Sequence, residues 1–167
     1  MTEETKVHFT NYIGTKCVNG FPMNKVDYCK LRGWDVPANE DPLEEGYLVE
    51  YPDSKSNHEQ FRGYISWSPK VAFEEAYRDV EKGCTFGHAV ELLKTGFKVA
   101  RKGWNGKGMY ISYVAAEEWA SSALERPWSQ DLKPIPWIGM KTVDDTYVPW
   151  LASQSDILAE DWVLAEG

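Results

Sequence analysis

Thr85-Phe-Gly-His-Ala-Val-Glu-Leu-Leu-Lys-Thr-Gly96, running on into Phe97-Lys-Val-Ala-Arg-Lys102, is the stretch that decides how this chain folds. Phe86, Ala89, Val90 and Leu93 recur at the i, i+3, i+4, i+7 spacing that places apolar side chains on one helix face. Thr85 stands where a hydroxyl caps the first turn, and Gly96 where a left-handed residue closes the last. His88 falls on the face opposite this stripe and is expected in solvent. The pattern then changes period. Phe97–Lys102 reads as a strand, Gly103-Trp-Asn-Gly-Lys-Gly108 as a turn, and Met109–Val114 as a second strand.

Downstream, residues 115–125 read as helical and 126–136 as a loop rich in Trp and Pro. Trp137–Lys141 and Tyr147–Pro149 flank Val143-Asp-Asp-Thr146 as a hairpin. Ser153-Gln-Ser-Asp156 has the form of a capping box opening a short helix, and Trp162–Ala165 reads as a closing strand. Helices packed on a set of antiparallel strands make an α+β unit.

Upstream, Val7–Val18, Gly46–Tyr51 and Gly63–Ser66 carry the aromatic and β-branched residues of strands. Asn19-Gly20, Pro37–Pro42 and Pro52–Asn57 separate them as turns. Ser68-Pro69 predicts a helix start, with Val71, Ala72, Ala76 and Tyr77 as its apolar face, Phe73 at the edge, and an end near Val80. The predicted architecture is α+β throughout: a small strand-rich N-terminal domain with one helix (1–82), then an antiparallel sheet with packed helices (83–167). Asp27, Tyr28, Arg32 and Trp34 could form a site in the first domain, or simply part of an aromatic core.

With 43% apolar residues, eight Trp, nine Tyr and six Phe in 167 residues, the chain is a folded protein rather than a disordered one. Its apolar runs are far shorter than a membrane helix needs, and Met1–Lys6 is polar and acidic, unlike a signal peptide. Cys17, Cys29 and Cys84 are odd in number and widely spaced, which predicts neither a disulfide framework nor a zinc site. A protein of a reducing cytosol is expected, without membrane contact, metal or cofactor.

Eighteen basic against 26 acidic residues give a net charge of −8, which disfavours DNA or RNA as a partner. Leu92 to Ala116 breaks that trend, with Lys94, Lys98, Arg101, Lys102 and Lys107 and no acid. Within it, Arg101-Lys-Gly-Trp104-Asn105-Gly-Lys107-Gly-Met109 combines glycines that allow close backbone approach with cations, an aromatic plate and an amide. Those are the parts that hold a nucleotide: cation for phosphate, aromatic face for base, amide for base edge or ribose. The same residues also read as a plain hairpin with exposed lysines. Trp150, just before the helix capped at Ser153, reads either as a second aromatic plate or as a core residue. Scattered histidines (His8, His58, His88) and the absence of a nucleophile elbow or a phosphate-cradling loop reveal no ordinary catalytic set. Asp144-Asp145 could be a carboxylate pair, or ordinary turn residues.

Thr85–Gly96, Val99–Met109 and Val148-Pro-Trp-Leu-Ala-Ser-Gln-Ser-Asp-Ile-Leu-Ala-Glu-Asp-Trp162 closely resemble, in order, a small phage domain, the second type of Thoeris anti-defence protein. The resemblance runs from about Cys84 to Glu166, and Gly63–Lys70 resembles an extension seen in longer members. It implies a molecular sponge rather than an enzyme, in the cytosol of an infected bacterium. Such proteins form homo-oligomers, typically tetramers. They sequester the cyclic ADP-ribose isomer (glyco-cyclic ADP-ribose) made by Thoeris sensors, and some also hold cyclic dinucleotides in separate pockets. By matching position, Trp104 and Trp150 would supply aromatic faces and Asn105 polar contacts. Arg101 and Lys107 would lie near phosphate, and Met109, Ser153 and Asp156 complete the candidate ligand-binding set. The rivals are an enzyme hydrolysing the same signal, with Asp144, Asp145 or Asp156 as base, and a small phage toxin or structural interaction protein.

Overall fold

The structure, a computed structural model, describes residues 13–104, 108–119 and 133–165. It has two antiparallel sheets, one of three strands and one of five, with helices packed on them, so the α+β expectation holds.

The first sheet has the order β1-β2-β3, from Asn19–Pro22, Gly46–Tyr51 and Tyr64–Pro69. Its central strand is covered on both faces. Leu48 and Ile65 pack against Tyr28 of α1 (Lys25–Arg32), with Met23, Leu31, Phe61 and Trp67 around them. On the other face Tyr47 stacks on Phe73 of α2 (Lys70–Ala76), ring centroids 4.2 Å apart.

This half departs from expectation at several points. Of the predicted strand Val7–Val18, residues 7–12 lie outside the described residues and 13–18 are irregular. The edge strand is instead Asn19–Pro22, where a turn was predicted, because its backbone pairs with β2 from Asn19↔Glu50 to Pro22↔Tyr47. The predicted organisation has no helix at Lys25–Arg32, yet α1 is well punctuated. The Asn24 side chain accepts from the Asp27 N–H at 2.9 Å, and Gly33 closes the helix at φ 69°. Ser68-Pro69 ends β3 rather than opening a helix with a hydroxyl cap, since pairing with β2 runs on to Gly46↔Pro69. The α2 face is Phe73 with Tyr77, whose rings lie 4.9 Å apart, while Val71, Ala72 and Ala76 are exposed. The helix stops at Ala76, short of Val80, where Tyr77 turns extended.

The second sheet has the order β7-β6-β5-β4-β8. Its strands are β4 (Val99–Arg101), β5 (Tyr110–Val114), β6 (Trp137–Lys141), β7 (Tyr147–Pro149) and β8 (Trp162–Leu164). Helix α3 (Phe86–Lys94) packs on one face and buries Ala89, Leu92 and Leu93 against Val99, Ile111 and Trp162. Thr85 caps it as expected, and Gly96 follows at φ 92°. Leu92, outside the predicted stripe, is buried, while Val90 is half-buried. His88 is half-buried rather than free, its Nδ1 lying 3.0 Å from the Thr85 hydroxyl. The hairpin β6–β7 and the capping box stand where expected, the latter opening α4 (Gln154–Ile157). Residues 116–119 are helical, and the rest of the helix predicted at 115–125 lies outside the described residues. The last strand does not follow chain order: β8 crosses the sheet to pair with β4, from Val99↔Leu164 to Arg101↔Trp162. That crossing brings the chain's end beside the Arg101–Trp104 segment. No described helix is long and apolar enough to cross a membrane.

Candidate functional site

Trp162 is the centre of the site's support. Its side chain is 0% exposed, and its ring lies 5.4 Å from Phe86, 5.5 Å from Trp104 and 6.0 Å from Trp150. The indole N–H donates to the Asp156 carbonyl at 3.0 Å. Trp104 and Trp150 are half-buried at the rim of this cluster, centroids 6.3 Å apart and planes at 65°. The two tryptophans singled out from the sequence therefore meet, each with one side in the core and part of its surface open. Edge-to-face contacts of this kind hold ring orientation as well as burying area.

Arg101, at the end of β4, ties the rim together. Its Nε donates to Asp161 Oδ1 at 2.8 Å, and its Nη1 donates to Asp156 Oδ1 at 2.9 Å and to the Ser155 carbonyl at 3.3 Å. The second oxygen of Asp161 accepts from the Gly103 N–H at 3.1 Å, fixing the backbone just before Trp104. Asp156 Oδ2 accepts from the Ser153 hydroxyl at 2.6 Å and from the Ser153 N–H at 3.2 Å, completing the capping box next to Trp150.

The candidate residues therefore divide. Trp104 and Trp150 converge. Arg101, Ser153 and Asp156 lie beside them but are bonded to one another or to Asp161, so their groups build the rim. Met109 is half-buried just before β5. Asn105 and Lys107 lie outside the described residues. Asp161 and Trp162 escaped the sequence reading as site residues; the signal available was that they end the third resembling block. Asp144 and Asp145 form a hairpin tip. Asp144 accepts from the Thr142 and Thr146 hydroxyls, and Asp145, at φ 63°, pairs with Lys141. Among the described residues no group of His, Cys, Asp and Glu could hold a metal ion.

The ion pairs set the charge states. Hydrogen bonding from Arg101 holds the Asp161 carboxyl below its ordinary value and raises the guanidinium's. Partial burial opposes ionisation of Asp156, but the Ser153 and Arg101 hydrogen bonds outweigh it, and that carboxyl also titrates low. A carboxyl depressed in the folded state contributes stability above the unfolded value, about 3.9, and loses it as pH falls through the folded value. The melting temperature is thus expected to hold from neutral pH to about 5 and then fall with acid. In Arg101→Met the fall should be shallower, because the depression of both carboxyls is weakened. Parallel pH curves for the two proteins would show that the tie carries no such linkage.

A five-stranded antiparallel sheet with helix α3 packed on one face carries this aromatic rim. Residues 84–165 match the family described as the Thoeris anti-defense 2-like (Tad2-like) domain. Over 80 residues the chain is 39% identical to Thoeris anti-defense 2 of Bacillus phage SP01, covering 47% of this chain and 90% of that protein. The chain belongs to the Thoeris anti-defense 2-like family.

Proposed function

We propose that this is a phage protein that blocks Thoeris immunity by sequestering its signal, a cyclic ADP-ribose isomer such as glyco-cyclic ADP-ribose, without cleaving it. The observation that carries the reading is the convergence of Trp104 and Trp150 on one rim within the family-matched region. Two indoles at this spacing offer faces for a base, and base-on-aromatic stacking is worth about 1–3 kcal/mol per contact. Lys98 and Lys102, on the acid-free stretch that leads to the rim, have no ion pair among the described residues and are a source of positive field for a pyrophosphate, whereas Lys94 is paired with Glu91. The carboxylates a hydrolase would draw on are committed elsewhere: Asp144 to its hairpin, Asp145 to Lys141, and Asp156 to Arg101 and its own cap. That favours capture over turnover.

The reading includes action in the cytosol of the infected host and a boundary near residue 82/83, with the first domain an extension of unassigned role. It also includes a homo-oligomer, dimer or tetramer, with cyclic dinucleotides as a second class of ligand in separate pockets. In support of assembly, the sheet face opposite α3 carries Tyr110, Ser112, Trp137 and Tyr147, the last 45% exposed and hydrogen-bonded to Ser112 at 2.6 Å.

One experiment tests the ligand claim. At a hundred times its dissociation constant, the cyclic ADP-ribose isomer should add about 2.7 kcal/mol of stability, read as a thermal shift. Chromatography of the nucleotide recovered after heat denaturation should return it intact. No shift, or a linear product, overturns the reading. Light scattering should give a multiple of 19.1 kDa, and a monomer would remove the assembly.

A further inference from the structure

We propose that the cleft beside α1, bounded by the chain around Asp35 and Glu40 and by Trp67 of β3, is a second binding site that takes a small alkylammonium or guanidinium ion. The cleft has a volume of about 360 Å³, and its walls include Tyr28, Trp34 and Trp67. It belongs to the first sheet's half of the chain and shares no residue with the Trp104–Trp150 rim.

Three observations point to a cation. Tyr28 is only 7% exposed, and its hydroxyl has no hydrogen-bond partner among the described residues, although the ring lines the cleft. A hydroxyl that reaches solvent in a cleft can accept a bond from a ligand N–H. Second, these indoles already carry cations of the protein itself. Lys25 Nζ lies 4.5 Å from the Trp67 centroid, and the Arg32 guanidinium carbon 4.4 Å from that of Trp34. Trp34 nevertheless remains 55% exposed, so ring surface is left for another.

Third, carboxylates outnumber cations around the cleft, with Asp35, Glu40 and Glu44 against Lys25 and Arg32. Asp35 to Glu45 contains Asp35, Glu40, Asp41, Glu44 and Glu45 and no base. Lys25 is bound between Glu40 and Glu44, at 2.5 and 2.6 Å, so its charge is spent within the wall. Asp35 lines the cleft, is exposed, and has no ion pair among the described residues. Its carboxylate is the counter-charge for the ligand. The same field repels phosphate, which separates this site from one that captures a nucleotide.

The full chain, labelled with nitrogen-15, tests this through its indole N–H resonances. 1,4-Diaminobutane should shift the Trp34 and Trp67 signals saturably. The uncharged isostere 1,4-butanediol, sodium chloride at matched ionic strength, and adenosine monophosphate should not. Trp34→Ala and Asp35→Asn, both at exposed positions, should each weaken diamine binding by about 2- to 30-fold with the melting temperature retained. Shifts that the diol reproduces, shifts that never saturate, or undiminished affinity in both variants would overturn the proposal.

Discussion

Trp162→Ala is expected to lower the melting temperature by roughly 6–20 °C. Removing a fully buried aromatic side chain costs about 3–5 kcal/mol, and each kcal/mol is worth about 2–4 °C in a chain of this length. The cavity would open where Phe86, Trp104 and Trp150 meet, so three ring contacts would lose their shared partner. The Asp156 carbonyl would also lose its indole donor, next to the Arg101 tie. β8 itself should still form, since the Trp162 backbone exchanges hydrogen bonds with Cys84 whatever the side chain. Trp162→Phe should recover part of the loss. A melting curve of Trp162→Ala within one or two degrees of the parent would mean that the ring cluster is not the keystone of this sheet.

The second large effect concerns affinity. Trp104→Ala should weaken binding of the cyclic ADP-ribose isomer by about 5- to 150-fold, the equivalent of one stacking contact. Because Trp104 is half-buried and packs on Trp162, a stability cost accompanies it, about 1–2 kcal/mol for a side chain only partly withdrawn from water. Calorimetric titration and a melting curve on the same sample separate the two effects. Trp104→Phe, which keeps a ring, should recover part of the affinity. A Trp104→Ala protein that binds like the parent would place the ligand elsewhere, whatever its melting behaviour.

Local chemistry decided what could be read in advance. Gly46–Tyr51, the β6–β7 hairpin, the Thr85 cap and the Ser153 capping box follow from period and cap residues within a few positions of one another. Helix α1 was harder, because Lys-Val-Asp-Tyr-Cys-Lys-Leu-Arg has little apolar periodicity; only Asn24 and Gly33 mark its ends. The strand at Asn19–Pro22 is imposed by pairing with β2, about 30 residues away, and turn-forming residues give no hint of it. Arg101 illustrates the limit at the site. Its charge suggested a free phosphate ligand, but its partners stand 55 and 60 residues downstream, and only the crossing of β8 to β4 brings them near. Trp104 and Trp150 matched their family blocks individually; that they touch is a tertiary fact.

Gly103, Arg101, Asp156 and Asp161 have a consequence for timing. The bonds among them fix the backbone before Trp104 and the capped turn after Trp150 without help from a guest. For a ligand of the proposed kind, these bonds remove part of the ordering that binding would otherwise cost. Under the proposed capture of a messenger, a rim partly set in advance would favour speed.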